Sequence, residues 1–72
     1  MHYTYILKLR NNNLYIGYTD NVECRTREHQ KVWKCELIYY EAYNSEKLAR
    51  NRERKLKYYG SAWRGLKQRI QA

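Results

Sequence analysis

The sequence predicts an α+β fold, a three-stranded, mainly antiparallel sheet with helices packed on it, in the order ββαβαα. Three observations lead there. Residues 3–9 alternate apolar and polar, three asparagines follow, and β-forming composition resumes at once, which is the pattern of a hairpin. Beyond it, residues with helical spacing and capping side chains lie on either side of one short β-forming run. No repeat, linker or low-complexity segment divides the 72 residues, so one domain covering 1–72 is expected.

In the first strand, residues 3–9, Tyr3, Tyr5, Leu7 and Leu9 share one side, and only Ile6 interrupts the polar positions between them. Asn11, Asn12 and Asn13 tolerate left-handed backbone and form the loop; residues 14–18 return as the second strand. A three-residue loop pairs position 10 with position 14 and puts Tyr5, Tyr15 and Gly17 on one face. Asp20 with Glu23 three residues on resembles a capping box, starting a helix that runs to about residue 30. On that helix Val22, Arg25 and His29 fall in one narrow arc, turned inward. An exposed arginine or histidine is ordinary, but beside a buried valine each needs a reason to be there. Residues 35–40 form the third strand, with Glu36, Ile38 and Tyr40 alternating against Cys35, Leu37 and Tyr39. Asn44 or Ser45 caps a second helix through about residue 59, ended by Gly60. Ser61 caps a third carrying Trp63, Leu66 and Ile70 at i, i+3 and i+7.

A chain this short buries only about 60% of the surface its unfolded form exposes, so the core is small. Phe and Pro are absent, and 9 Tyr and 2 Trp supply the aromatic volume, so the interior carries polar tips that need partners. Fifteen Lys and Arg against seven Asp and Glu give a net charge of +8, which favours a polyanionic partner, nucleic acid first; a generic solvated surface is the plain alternative. No helix joins a basic face to a broad apolar one, which argues against membrane binding. No apolar run approaches the roughly 20 residues that span a bilayer, and the first strand starts too early for a signal peptide. A cytoplasmic protein with Cys24 and Cys35 as free thiols is expected.

Tyr5, Tyr15-Ile16-Gly17, Arg25, His29 and Glu53 follow one another along the chain. Phosphodiester hydrolysis needs an activated water, stabilisation of charge at phosphorus and help for the departing oxygen, and this set has a side chain for each. In this ordered set the chain resembles the GIY-YIG nuclease superfamily, in particular its small bacterial single-domain members. Tyr3-Thr4-Tyr5 stands where those proteins have Gly-Ile-Tyr, so only the last residue of that triplet matches.

The resemblance implies a GIY-YIG-like fold and a metal-dependent endonuclease. It implies that Tyr5 and Tyr15 lie at the active centre with Tyr5 acting on the attacking water, and that Arg25 binds the scissile phosphate. Glu53 becomes the single protein ligand of a Mg²⁺ or Mn²⁺ ion, and His29 matches a histidine set beside the tyrosine. Physical chemistry adds conditions. A free phenol has a pKa of about 10, so it serves as a base near neutral pH only beside a cation. One carboxylate suits Mg²⁺, which keeps much of its hydration shell. Taken alone, each residue has a plainer reading: the tyrosines as core residues, Glu53 as a salt-bridged surface acid in a basic stretch, Gly17 as the start of a turn rather than room for a phosphate.

Lys8 and Arg10 at the hairpin tip, Arg27, and Arg50, Arg54 and Lys57 are expected to grip the DNA backbone, with Gly17 beside it. Relatives usually carry a longer basic loop between the histidine and the third strand, where this chain has only residues 30–34. No sequence-reading module is present, so the expected substrate is structured, nicked or single-stranded DNA, with RNA left open, cut by a monomer. The alternatives are a catalytically weak nucleic-acid-binding protein and a protein-interaction domain of the same fold.

Overall fold

The computed structural model describes residues 1–10, 13–32, 34–58 and 60–71. Its elements are β1 (His2–Leu9), β2 (Leu14–Thr19), α1 (Val22–Val32), β3 (Cys35–Tyr43), α2 (Glu46–Tyr58) and α3 (Gly60–Gln71), the expected ββαβαα order. The sheet order is β2-β1-β3 with both pairings antiparallel, so β1 is central. Thr4, Tyr5, Ile6 and Leu7 are all buried. A central strand covered on both faces needs apolar side chains at both parities, which accounts for Ile6.

The hairpin register differs from expectation by two residues. Tyr5 pairs with Gly17, Leu7 with Tyr15 and Lys8 with Leu14, and the Leu9 amide donates to the Asn13 carbonyl at 2.8 Å. The turn therefore closes one position earlier, between Leu9 and Asn13 rather than between Arg10 and Leu14, and Asn11 and Asn12 lie outside the described residues. A shift of two preserves parity, so Tyr5, Tyr15 and Gly17 do share a face. The third strand also departs from the simple alternation. Ile6 pairs with Tyr39 and Leu7 with Leu37, which leaves Ile38 as a bulged extra residue. Tyr40 consequently sits on the Tyr5 face, with Leu37 rather than Ile38, and the strand continues to Tyr43 instead of stopping at 40.

The helix ends need two corrections, and one open alternative is resolved. Asn21, not Asp20, caps α1: its Oδ1 accepts the Cys24 amide at 3.0 Å, and its own amide donates to Thr19 Oγ1 at 3.0 Å. Ser45 rather than Asn44 precedes α2, its carbonyl accepting the Ala49 amide. Gly60 and Ser61, expected as terminator and cap, are the first two residues of α3. Tyr59, expected as the last residue of the second helix, lies outside the described residues.

The two sheet faces are covered differently. On the face of Thr4 and Ile6, Leu56 of α2 and Leu66 of α3 close a core with Ile6, backed by Ile16, Ile38, Trp63 and Ile70. On the face of Tyr5 lies α1, which buries no residue at all. This helix has too few apolar positions to seal the sheet, and its cover is partial.

Candidate active site

Tyr5 is the centre of the arrangement. It is only 2% exposed, and its ring lies across its strand partner Gly17. A Cβ placed on Gly17 would stand 2.5 Å from both the Cζ and the hydroxyl of Tyr5. The space that a glycine opens on this face is thus filled by the Tyr5 phenol, not left clear for a phosphate as the sequence suggests. A turn does not explain it either, since Gly17 lies inside β2.

The phenol emerges beside His29, whose Nε2 is 3.2 Å from the Tyr5 hydroxyl. Tyr15 closes the third side, its ring centroid 5.1 Å from that of His29 and 6.2 Å from that of Tyr5. Burial pushes the Tyr5 pKa up; Tyr15 adds to this by charge and hydrogen bonding, as does the charge of Glu53, and Arg25 opposes them. The net effect is a phenol that keeps its proton well above the ordinary tyrosine range. The tautomer of the imidazole sets the direction of this bond, and with Nε2 unprotonated the phenol donates to it.

The sequence places Arg25 on a buried face, yet its side chain is 48% exposed and pairs with Glu28 at 3.3 Å. α1 buries none of its residues, Arg25 among them. Such an exposed pair is worth at most about 1 kcal/mol, so a phosphate can replace Glu28 readily. Glu53, 24% exposed, pairs with Lys57 at 3.6 Å. Arg50, Glu53 and Lys57 form one stripe of α2, at i, i+3 and i+7. Arg50 stacks on the Tyr18 ring of β2 at 4.6 Å, so the stripe follows the edge strand that the Tyr5 phenol crosses.

The structure therefore brings Tyr5, Tyr15 and His29 into contact and sets Arg25 and Glu53 where their charges act on Tyr5. The expected grip residues are dispersed around this cluster. Lys8, Arg10 and Arg54 are exposed, Arg27 faces Glu23 at 3.8 Å, and Arg50 bonds Glu46 at 2.8 Å on the opposite side of the sheet from Tyr5.

Among the described residues no three His, Cys, Asp or Glu side chains gather to hold a metal. That donor set does not suit a protein cage for zinc or calcium. A lone, partly exposed carboxylate does suit a hydrated Mg²⁺ or Mn²⁺ that completes its shell with water and substrate phosphate.

Sequence reasoning missed a second polar cluster, on the other sheet face. Glu41 accepts hydrogen bonds from Tyr39 at 2.6 Å and Tyr43 at 2.5 Å, and from Arg52 Nε and Nη2 at 2.9 and 3.3 Å. Burial alone would raise the Glu41 pKa, but the hydrogen bonds from Tyr39, Tyr43 and Arg52, with the Arg52 charge, bring it below the usual carboxylate range. Burial and the bond to Glu41 push Tyr43 up to about 12 and raise Tyr39 as well. The spacing Tyr39, Glu41, Tyr43 on one side of a strand is the available signal, hidden because the sequence pattern ends the strand at residue 40.

Comparison with known proteins points the same way. The profile of the GIY-YIG catalytic domain matches residues 1–58, a span that holds the whole cluster. A UPF0213 protein of Staphylococcus haemolyticus is 40% identical over 65 positions, covering 78% of this chain and 79% of its own length. Another, of Natronomonas pharaonis, is 36% identical over 80 positions, covering 99% of this chain and 91% of its own. The solution NMR structure of a UPF0213 protein from Bacillus halodurans aligns with a TM-score of 0.55 at 31% identity, over 78% of this chain and 69% of that one. These names state no activity. An alignment of 80 positions against 99% of 72 residues leaves about nine positions filled in the relative alone, and the Staphylococcus alignment leaves the same number. With α1 ending at Val32 and β3 starting at Cys35, two residues connect the helix to the strand and five separate His29 from it. No helix among the described residues is long and apolar enough to cross a membrane.

Proposed function

Since the chain belongs to the GIY-YIG family of catalytic domains, a nuclease family whose members generally use a divalent metal, we propose that it is a Mg²⁺- or Mn²⁺-dependent endonuclease that hydrolyses structured, nicked or single-stranded DNA. The observation that carries this reading is the Tyr5 hydroxyl, 3.2 Å from His29 Nε2 and within the fields of Arg25 and Glu53.

Each side chain then has a task. Tyr5 keeps its proton in the resting site, so it works as a relay rather than as a preformed base. As the water oxygen bonds to phosphorus and the bond to the departing oxygen breaks, the water proton passes to the Tyr5 oxygen, and the proton of the phenol passes to His29 Nε2. The departing oxygen takes a proton from solvent. Histidine is the side chain suited to accept a proton near neutral pH. Tyr15 packs against both rings and orients them. Arg25 gives up Glu28 for the scissile phosphate, a charge-assisted contact made in ground and transition states alike. Glu53 holds the divalent ion, whose charge, when bound, offsets the negative charge developing at the phosphate.

The short connection after α1 favours one second reading, a weak catalyst that chiefly binds nucleic acid. A cleavage assay over a panel of DNA and RNA structures, with and without Mg²⁺, separates the two. Glu53→Gln is expected to abolish cleavage while DNA affinity stays equal or rises, because a negative charge beside the phosphate is removed. Arg25→Ala is expected to lower both. Equal cleavage by wild type and Glu53→Gln would remove the enzyme reading.

A further inference from the structure

Helix α2 touches all three strands through polar contacts, and each contact is on a different flank. Toward β2, the Arg50 guanidinium lies over Tyr18. Above β1, the buried Thr4 hydroxyl donates to the Ala49 carbonyl at 2.6 Å. Toward β3, Arg52 forms a two-pronged contact with Glu41. Arg52 and Glu53 are consecutive, so they leave the helix about 100° apart. The flank held by Arg52 is therefore not the one that carries Glu53, which follows Arg50 by one turn on the side of β2.

We propose that Arg52 and Glu41 are positioning residues that fix the rotation of α2 about its axis and thereby hold the Glu53 carboxylate on the β2 side of the helix. This rests on the reading of Glu53 as the metal ligand. Three observations carry it. The side chains are largely withdrawn from solvent, Glu41 at 17% exposed and Arg52 at 27%. The carboxylate is saturated: Oε1 takes Tyr43 and Arg52 Nε, and Oε2 takes Tyr39 and Arg52 Nη2, which uses about four lone-pair sites. The planar fork of an arginine on a carboxylate tolerates little rotation, unlike a lysine contact. A buried ion pair adds little stability over an apolar pair of similar size. What this network adds is a defined angle, and a lone metal ligand depends on its angle because no second protein ligand corrects it.

The test is Mn²⁺ binding read by paramagnetic broadening of the amide signals of residues 50–57, alongside cleavage as a function of Mn²⁺. The double variant Glu41→Leu, Arg52→Met removes both charges and leaves neither partner orphaned. Partners outside the ligand shell typically alter metal affinity by about 10- to 100-fold. Half-maximal broadening and half-maximal cleavage should both move to about tenfold higher Mn²⁺, with the rate at saturating Mn²⁺ within about threefold of wild type. Should the double variant fail to fold, Arg52→Lys, which keeps the charge and loses the fork, is expected to shift both curves in the same direction. Unchanged Mn²⁺ affinity in the folded variant would overturn the proposal. Glu53→Gln separates the two levels: if it binds Mn²⁺ like wild type, the metal-ligand reading itself fails; if it loses Mn²⁺ while the network variants do not, only the positioning role fails.

Discussion

At the level of single residues, Gly17 and Tyr5 act as one unit. The phenol reaches the edge strand only because its partner has no side chain. The Tyr5 ring is buried and in contact with His29 and Tyr15, so it cannot swing aside freely. Gly17→Ala should therefore displace the hydroxyl from His29. We expect a stability loss of about 1–3 kcal/mol from overpacking and a fall in cleavage on the order of 10²-fold, the cost of a misplacement of about 1 Å. Thermal melting and single-turnover cleavage measure the two separately; an unchanged rate would mean that the phenol position is not critical. Tyr5→Phe probes the hydroxyl alone. It keeps the ring over Gly17 and should cost cleavage on the order of 10²-fold or more with little change in Tm. A loss of stability with the rate preserved would return Tyr5 to the core.

Among the elements, α1 is the weakest fitted. None of its residues is buried as a whole, yet the Thr26 hydroxyl oxygen is shut off from solvent without a hydrogen-bond partner among the described residues. Leaving such a group unpaired costs about 1–3 kcal/mol. Thr26→Val replaces the hydroxyl by a methyl of similar size, so Tm should rise by about 4–8 °C for each 1 kcal/mol recovered in a domain of this length. A lower Tm would show that the hydroxyl has a partner that matters. The sequence carried the element order and parity because local pattern determines them: the period-two run into Tyr5 and the stripe Trp63, Leu66 and Ile70 of α3 are visible in any window. Caps were less legible, since Asp20 and Asn21 are adjacent and both competent, and only the turn at Thr19 selects Asn21. The bulge at Ile38 and the Glu41 network were illegible for a different reason: both depend on β1 and α2 arriving from elsewhere in the chain. In the candidate site, the residues came from the resemblance, but the crossing of Tyr5 over Gly17 needed the strand pairing.

Across the whole molecule, charge is spread unevenly. Five of the seven acids are paired among the described residues, leaving cations such as Lys8, Arg10, Arg54 and Arg64 without an acidic partner there. Lys47, Arg50 and Arg54 surround one open cavity of about 450 Å³ on α2, whereas Lys31 and Lys34 flank the shortened connection. Charge reversal at Arg50 and Arg54 should therefore weaken DNA binding more than reversal at Lys31 and Lys34. It should also flatten the salt dependence, by about 0.9 in slope for each duplex phosphate no longer neutralised and about 0.7 for each single-strand phosphate. Anisotropy with a labelled oligonucleotide over a salt series checks this; the opposite order would make the short connection the main point of attachment. The tyrosine-rich interior sets the response of the fold to pH. Tyr5, Tyr39 and Tyr43 all have folded values raised above the ordinary value of about 10. Above that pH the unfolded chain releases protons that the folded chain retains, so stability present below about pH 10 is lost as pH rises through the folded values. Glu41 acts oppositely: its folded value is lowered, so its contribution is present above the ordinary carboxylate value and disappears as pH falls through the folded one. Tm should be flat from about pH 5 to 9 and fall on both sides. In the double variant Tyr39→Phe, Tyr43→Phe two of the three phenols are gone and Glu41 loses two donors, so the alkaline fall should become shallower and the acid fall should also lessen, as the Glu41 value moves back toward that of the unfolded chain. An alkaline limb as steep as that of wild type would mean that these half-buried phenols do not govern the loss.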